Sequence, residues 1–302
     1  MIAGSVLDLI GRTPIVRINK LVSSEDAELL AKLEWYNPGG SVKDRMALYL
    51  VEAAEASGRL RKDKVIIEAT SGNTGIALAM IAAVKGYKIV IVMPESVSIE
   101  RRKIIKAYGA ELILSPGEKG TAGAIELKRK IIEENPDRYV DLDQFSDPAN
   151  IMAHYQTTAR EIIEQTSGKV DMVVVGIGTA GTGVGISMRL KEHKKEVKIV
   201  GVTPKIGVSI QGLRNPAEEN PTKLFRPDAF DEIVEIGEED LSSVKFMAKE
   251  LARKEGLLVG QSSAAIMNVA VRKAKELGRG KTIVAVLPDS GLKYLSTYLF
   301  EY

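Results

Sequence analysis

The chain predicts an α/β fold of two domains, each a mostly parallel twisted sheet covered by helices. Three observations lead there. Short Val/Ile-rich runs alternate with helix-patterned segments along nearly all of the 302 residues, the rhythm of strand–helix–strand units. The runs are continuous instead of alternating with polar residues, as in strands buried on both faces. Three glycine-rich turns adjoin the strand and helix patterns, as expected of ligand loops in open parallel sheets.

In order, Val65 to Ala69 reads as a strand and Ile76 to Lys85 as a helix stopped by Gly86. Ile89 to Met93, ending at Pro94, is a strand, Glu100 to Tyr108 a helix and Glu111 to Leu114 a strand. Thr121 to Glu134 is helical, and Tyr139 to Leu142 is a short strand. The second half repeats the pattern: strands at Met172–Val175, Lys198–Val202, Ile233–Ile236 and Ile283–Leu287, with helices at Gly185–Glu192, Asp240–Glu255 and Ser263–Leu277. The stretch Pro204 to Asp228 carries no pattern and is too long for an ordinary connection, so it reads as a lid or ligand loop. The expected division is a smaller domain at 37–149 and a larger one made of 1–36 plus 150–302.

Composition excludes several function classes. A hydrophobic fraction of 45% with 27% charged residues allows a sizeable core in a chain that still dissolves. A net charge of +2 gives no argument for nucleic acid or an acidic membrane surface. There is no cysteine, which removes disulfides, thiolate metal sites and a cysteine nucleophile, and fits a reducing compartment. His154 and His193 are too few and too far apart for most zinc or triad arrangements, so no metal is expected and each reads as an ordinary core or surface residue. No secretory signal is visible, and the longest apolar run, Ile76 to Val84, is too short for a span; a cytoplasmic location is the default.

The glycine-rich turns carry the chemistry. In Asn37-Pro38-Gly39-Gly40-Ser41-Val42-Lys43, the turn is followed by Ser41 as a helix cap. Lys43 then falls in the first helical turn, where the dipole and desolvation both favour a neutral, nucleophilic amine. An exposed helix lysine is the ordinary alternative. Thr70-Ser71-Gly72-Asn73-Thr74-Gly75 gathers hydroxyls, an amide and backbone N–H groups at a helix N-terminus, a place for a carboxylate or simply a capped turn. Gly176-Ile177-Gly178-Thr179-Ala180-Gly181-Thr182-Gly183 opens as a literal G-x-G-x-x-G, which points to a dinucleotide and an NAD-dependent oxidoreductase. The strand that should end in the ribose-binding acid ends Val202-Thr203-Pro204 instead. The two threonines suit a cup for one phosphate monoester.

Taken in order, these motifs resemble those of the cysteine synthases (O-acetylserine sulfhydrylases), which are fold-type II pyridoxal-phosphate enzymes. The similarity extends to Gly11-Arg12-Thr13-Pro14, Met93-Pro94, Glu100-Arg101-Arg102, Asp143-Gln144-Phe145 and Lys293-Tyr294-Leu295-Ser296-Thr297. It implies that pyridoxal 5′-phosphate lies in the cleft between the domains as a Schiff base on Lys43, which also serves as the catalytic base. Asn73 would then meet the cofactor's phenolic oxygen. Gly178, Thr179, Ala180, Gly181 and Thr182 would hold its phosphate, and Ser262 would face its ring nitrogen. Thr70, Ser71, Gly72, Thr74 and Gln144 would bind the substrate carboxylate. Ala180 and Ala264 depart from the family's usual residues, each by a small change.

The implied reaction is β-replacement on O-acetylserine, through an α-aminoacrylate, by sulfide or thiosulfate. Ser209-Ile210-Gln211-Gly212-Leu213-Arg214-Asn215 resembles the B-type branch, whose members accept thiosulfate and do not bind serine acetyltransferase; a homodimer is implied. Arg214 matches a position where some relatives grip O-phosphoserine, which leaves that ester as an alternative. A cystathionine β-synthase-like activity is a further one, weakened by the lack of haem-binding or regulatory extensions. A non-catalytic binding protein of the same fold is the alternative from outside enzymology.

Overall fold

A computed structural model describes residues 2–218 and 222–300. Two strands come first, β1 (Ile15–Arg17) and β2 (Glu28–Leu33), followed by α1 (Lys43–Ala56). Next are β3 (Val65–Ala69), α2 (Asn73–Lys85), β4 (Lys88–Pro94), α3 (Ile99–Ala107), β5 (Glu111–Ser115), α4 (Gly120–Glu134) and β6 (Tyr139–Asp141). Helices α5 (Ala149–Ala153) and α6 (Ala159–Gln165) are joined by a π-helical turn over His154–Thr158. Then come β7 (Met172–Gly176), α7 (Gly181–His193), β8 (Lys198–Pro204), β9 (Glu232–Ile236), α8 (Leu241–Glu250), α9 (Gln261–Leu277) and β10 (Thr282–Leu287).

The strands form two sheets, as the sequence predicts. One has four parallel strands in the order β5-β4-β3-β6. The other has six in the order β1-β2-β10-β7-β8-β9, parallel except for the β1–β2 pair. Each is covered on both faces. Ile66 of β3 packs with Met46, Leu50, Ile76 and Leu78, whereas Val65, Ile67 and Ala69 pack with Ala124 and Ile131 of α4. In the larger sheet Met172 and Val174 join a cluster with Ile266 and Ala270, and Val173 and Val175 join one with Val184 and Leu190. Burial on both sides is why these strands have no polar alternation. Leu7 and Ile10, from the N-terminal segment, pack against the core of the smaller sheet.

Several boundaries differ from the sequence expectation, and the reasons are local. α2 begins at Asn73 and α7 at Gly181, three and four residues before the expected starts at Ile76 and Gly185, because polar and glycine residues form most of the first turns. The N-cap position of α1 is Val42, and Ser41 contributes from one residue earlier: its Oγ accepts the Lys43 N–H at 3.2 Å. The long stretch after β8 does lack regular structure from 205 up to a short turn at Pro227–Ala229, apart from 219–221, which lie outside the described residues.

Candidate active site

Every loop singled out from the sequence for a role in the site, apart from the Lys43 turn and the start of α9, leaves the C-terminal end of a parallel strand. That is where open α/β sheets bind ligands. The Lys43 turn is drawn to the end of β10, where the Val42 N–H bonds the Pro288 carbonyl at 2.9 Å and Ser41 bridges to Asp289. Lys43 is the first residue of α1, and its amine makes no hydrogen bond or ion pair among the described residues. Burial draws its pKa down from the ordinary lysine value to about 8, against the opposing pull of the Asp289 carboxylate. The preceding turn is held by Asp44, whose Oδ2 accepts the Gly39 N–H at 2.5 Å. A Cβ at Gly39 would lie 2.6 Å from the same carboxylate, so only glycine fits there.

Asn73 meets the same Asp289 carboxylate that acts on this lysine, and it is clamped from both ends. Its Nδ2 donates to Asp289 Oδ2 at 2.8 Å, and its Oδ1 accepts from the Lys293 amine at 2.9 Å. Lys293 also donates to the Gly40 carbonyl at 3.0 Å, and burial lowers its pKa. Tyr294 donates its hydroxyl to Asp289 Oδ2 at 2.7 Å. The clamp fixes the orientation of the amide and leaves one N–H of Asn73 for a ligand.

The Thr70–Gly75 turn is tied to the smaller sheet. Thr70 Oγ1 accepts the Gly72 N–H at 3.1 Å, and Thr74 Oγ1 donates to Gln144 Oε1 at 2.8 Å. Ser71 is exposed, and its carbonyl accepts from Arg101 at 3.1 Å. The same Arg101 nitrogen donates to Gln211 at 2.9 Å, joining this loop to the stretch after β8.

The turn after β7 is a cup. Ala180 adopts φ +70, and Gly181 opens α7. Thr179 Oγ1 accepts from Asn150 Nδ2 at 2.9 Å, and Asn150 also donates to the Gln144 carbonyl at 2.8 Å, linking the cup through Gln144 to the Thr70–Gly75 turn. A Cβ at Gly181 would overlap the Asn150 side chain, and one at Gly178 would lie 2.7 Å from the Gly212 carbonyl. Thr182 Oγ1 is 3.1 Å from His154 Nε2, whose Nδ1 is 2.8 Å from Thr158 Oγ1. Burial, with help from the Arg45 charge, presses the His154 pKa to about 3, so the ring is neutral. Ser262, the second residue of α9, is 2% exposed and its hydroxyl makes no hydrogen bond among the described residues. Gly212 passes beside it: a Cβ there would be 3.3 Å from Ser262 Oγ.

Lys43, Asn73, Thr70, Gly72, Thr74, Gln144, Thr179, Thr182, Gly178 and Ser262 are thus joined by one chain of neighbours. Arg214 stands differently. Its N–H bonds the Ile177 carbonyl at 2.8 Å, but its guanidinium lies 5.6 Å from the Phe145 ring and its Nε donates to Glu218 at 3.2 Å. Sequence reasoning missed Asp289, Lys293, Asn150 and the buried role of His154. Asp289 carried a signal, since it follows the last buried strand as a polar residue at a C-terminal strand end. His154 carried none, because its partner Thr182 comes from another element and its partner Thr158 is reached through the π-helical turn.

The donor set fits pyridoxal phosphate. An amine with a lowered pKa suits an aldehyde, the cup at the α7 N-terminus suits a phosphate monoester, and a neutral hydroxyl suits a ring nitrogen. It does not fit a dinucleotide, because β8 ends in Thr203 and Pro204 and the Thr203 hydroxyl is used by the Arg214 carbonyl at 3.0 Å.

Residues 6–289 match the family described as pyridoxal-phosphate dependent enzyme. A cysteine synthase of Staphylococcus aureus is 41% identical over 310 residues, covering 99% of this chain and 97% of that protein. The cysteine synthase structure from Entamoeba histolytica superposes with a TM-score of 0.93 at 41% identity, over 100% of this chain and 92% of the other. The structure of an O-ureido-L-serine synthase does so with a TM-score of 0.92 at 38% identity, over 99% of this chain and 96% of the other.

Proposed function

The chain belongs to the pyridoxal-phosphate dependent enzymes, and from that premise we propose that it is a cysteine synthase acting on O-acetylserine. The observation that carries this reading is the buried Lys43 amine, without a hydrogen-bond or ion-pair partner among the described residues and linked through Asp289 to the clamped Asn73, in a chain of neighbours that reaches the phosphate-sized cup. The bound cofactor supplies an electron sink for the charge left at the substrate Cα. The chain's residues do the rest. Lys43 Nζ takes the Cα proton and later returns one, a task suited to an amine whose pKa lies near 8. The Thr70–Gly75 turn and Gln144 hold the substrate carboxylate, and the N–H groups of the cup hold the cofactor phosphate. Ser262 offers the ring nitrogen a hydroxyl and no charge.

Arg214 decides between esters. Its engagement with Glu218 and Phe145 supports a loop role over phosphate binding, hence an acetyl ester. Sulfide or thiosulfate is the proposed sulfur donor, and a cytoplasmic homodimer without a serine acetyltransferase partner the proposed working form. Residues 37–149 are the proposed smaller domain. No helix among the described residues is long and apolar enough to cross a membrane.

Turnover of O-acetylserine and O-phosphoserine, each with sulfide and thiosulfate, tests the assignment in wild type and Arg214→Ala. O-acetylserine should be used by both proteins. Turnover confined to O-phosphoserine and lost in Arg214→Ala would reverse it.

A further inference from the structure

Beneath the carboxylate loop lies a buried carboxyl group that the chemistry above leaves without a role. Glu68 is the fourth residue of β3, two positions before Thr70, and is 1% exposed. Its Oε1 accepts the Ala69 N–H at 3.1 Å and the Gln144 Nε2–H at a long 3.5 Å, while Oε2 has no hydrogen-bond partner among the described residues. The charged groups facing it come from α4 and the end of β6. Lys128 is 4.0 Å from Oε1, but its amine is committed to Asp141 at 2.8 Å. Asp141 and Asp143 add negative charge. On the other side β4 presents Ile91 as the register partner of Glu68, an apolar neighbour. Burial, reinforced by the two aspartates and opposed by Lys128, raises the Glu68 pKa to about 7.

We infer that Glu68 is a positioning residue that sets which way the Gln144 amide faces, and that its neutral form prepares the loop for the substrate carboxylate. The inference rests on the reading of the Thr70–Thr74 turn and Gln144 as the carboxylate site. With Glu68 ionised, Gln144 turns its N–H groups to Glu68 and its carbonyl to Thr74. Thr74 then spends its one hydrogen on Gln144, and both side chains point their donors away from an incoming anion. A protonated Oε1 instead donates to the Gln144 carbonyl and keeps a lone pair for the Ala69 N–H. The turned amide then donates to Thr74 Oγ1, and the freed Thr74 hydroxyl donates to the carboxylate. An arriving anion also makes the neutral acid more favourable by charge repulsion, so substrate binding and proton uptake favour each other.

L-Alanine, which has no leaving group, is the probe, titrated into the holoenzyme from pH 6 to 9 and followed by cofactor absorbance. Glu68→Gln supplies a permanently neutral side chain of the same shape. Wild type and Glu68→Gln should bind alike at pH 6, and wild type should bind about tenfold more weakly than the variant at pH 8, where about one Glu68 in ten is neutral. Lys128→Met removes the cation that favours the ionised form, so it should shift the wild-type fall in affinity to higher pH. Gln144→Ala should weaken binding at every pH. Parallel pH profiles in wild type and Glu68→Gln overturn the inference. So does an unmoved profile in Lys128→Met, which decides the matter if Glu68→Gln does not fold. Unchanged affinity in Gln144→Ala strikes the reading of the loop itself.

Discussion

Lys43 and Asp289 illustrate how far single residues can be read from sequence. Lys43 was legible because a glycine turn, a capping serine and a helix start place it at a dipole end, and the ordered motifs then separate it from an ordinary surface lysine. Asp289 lies 246 positions away in sequence, and nothing local links it to the lysine; the Val42–Pro288 hydrogen bond does so only in the folded chain. Its carboxylate orients Asn73 and pulls the lysine pKa upward against burial. Asp289→Asn should therefore lower the Lys43 pKa below about 8. The pH midpoint of Lys43 labelling by an amine-reactive reagent, read by mass spectrometry in cofactor-free protein, measures this. An unmoved midpoint would confine Asp289 to supporting Asn73. Ala180 holds φ +70, a conformation that disfavours a Cβ by about 1–2 kcal/mol.

At the scale of elements, buried strands were the most legible feature, since β7 and β10 and most of β3 and β8 are apolar on both faces, Glu68 of β3 being the buried exception. The elements that escaped were β1, β2 and the α5–α6 segment. β2 reads Glu-Leu-Leu-Ala-Lys-Leu, and its Lys32 is fully buried by pairing with Glu161, so the sequence shows a charge where the fold has a core position. The α5–α6 segment is broken by the π-helical turn that aims His154 at Thr182, which disrupts the helical period. The cup itself was legible as glycines, but the reason for each glycine was not. Gly178 is required because the Gly212 carbonyl would lie 2.7 Å from a Cβ. Gly178→Ala should push the stretch after β8 away from the cup and cut pyridoxal phosphate affinity by about tenfold or more, roughly 1.4 kcal/mol. Titrating the apoprotein with cofactor checks it, and an unchanged affinity would show that the stretch yields freely.

Across the whole molecule, a buried ion network joins the N-terminal segment, α1 and α6. Arg45, 1% exposed, donates Nε to Glu34 at 2.7 Å and its two Nη atoms to Glu161 at 2.6 and 2.8 Å. Thr13 and Lys32 complete it. Arg45→Met leaves Glu34 charged and buried without its partner and should cost about 3–5 kcal/mol in a urea titration; a loss under about 1 kcal/mol would show that Lys32 alone compensates. Hydrogen bonds from Arg45 and its charge hold the Glu161 pKa at about 2 against burial, below the ordinary 4.5. A lowered carboxyl pKa stabilises the fold above the unfolded value, and that contribution disappears as pH falls through the folded one. Stability should thus drop between about pH 4.5 and 2 in wild type, with the step reduced in Arg45→Met. The two-sheet architecture was legible from the strand rhythm. The network was not, because its members lie up to 148 positions apart and each alone reads as a surface charge.

Borohydride reduction of freshly purified holoenzyme, followed by peptide mapping, tests the central assignment most directly. Two half- or fully buried amines, Lys43 and Lys293, both feel the Asp289 carboxylate. The reduced pyridoxyl adduct is predicted on Lys43 alone and absent from Lys43→Ala. An adduct on Lys293, or none on either lysine, would contradict the account.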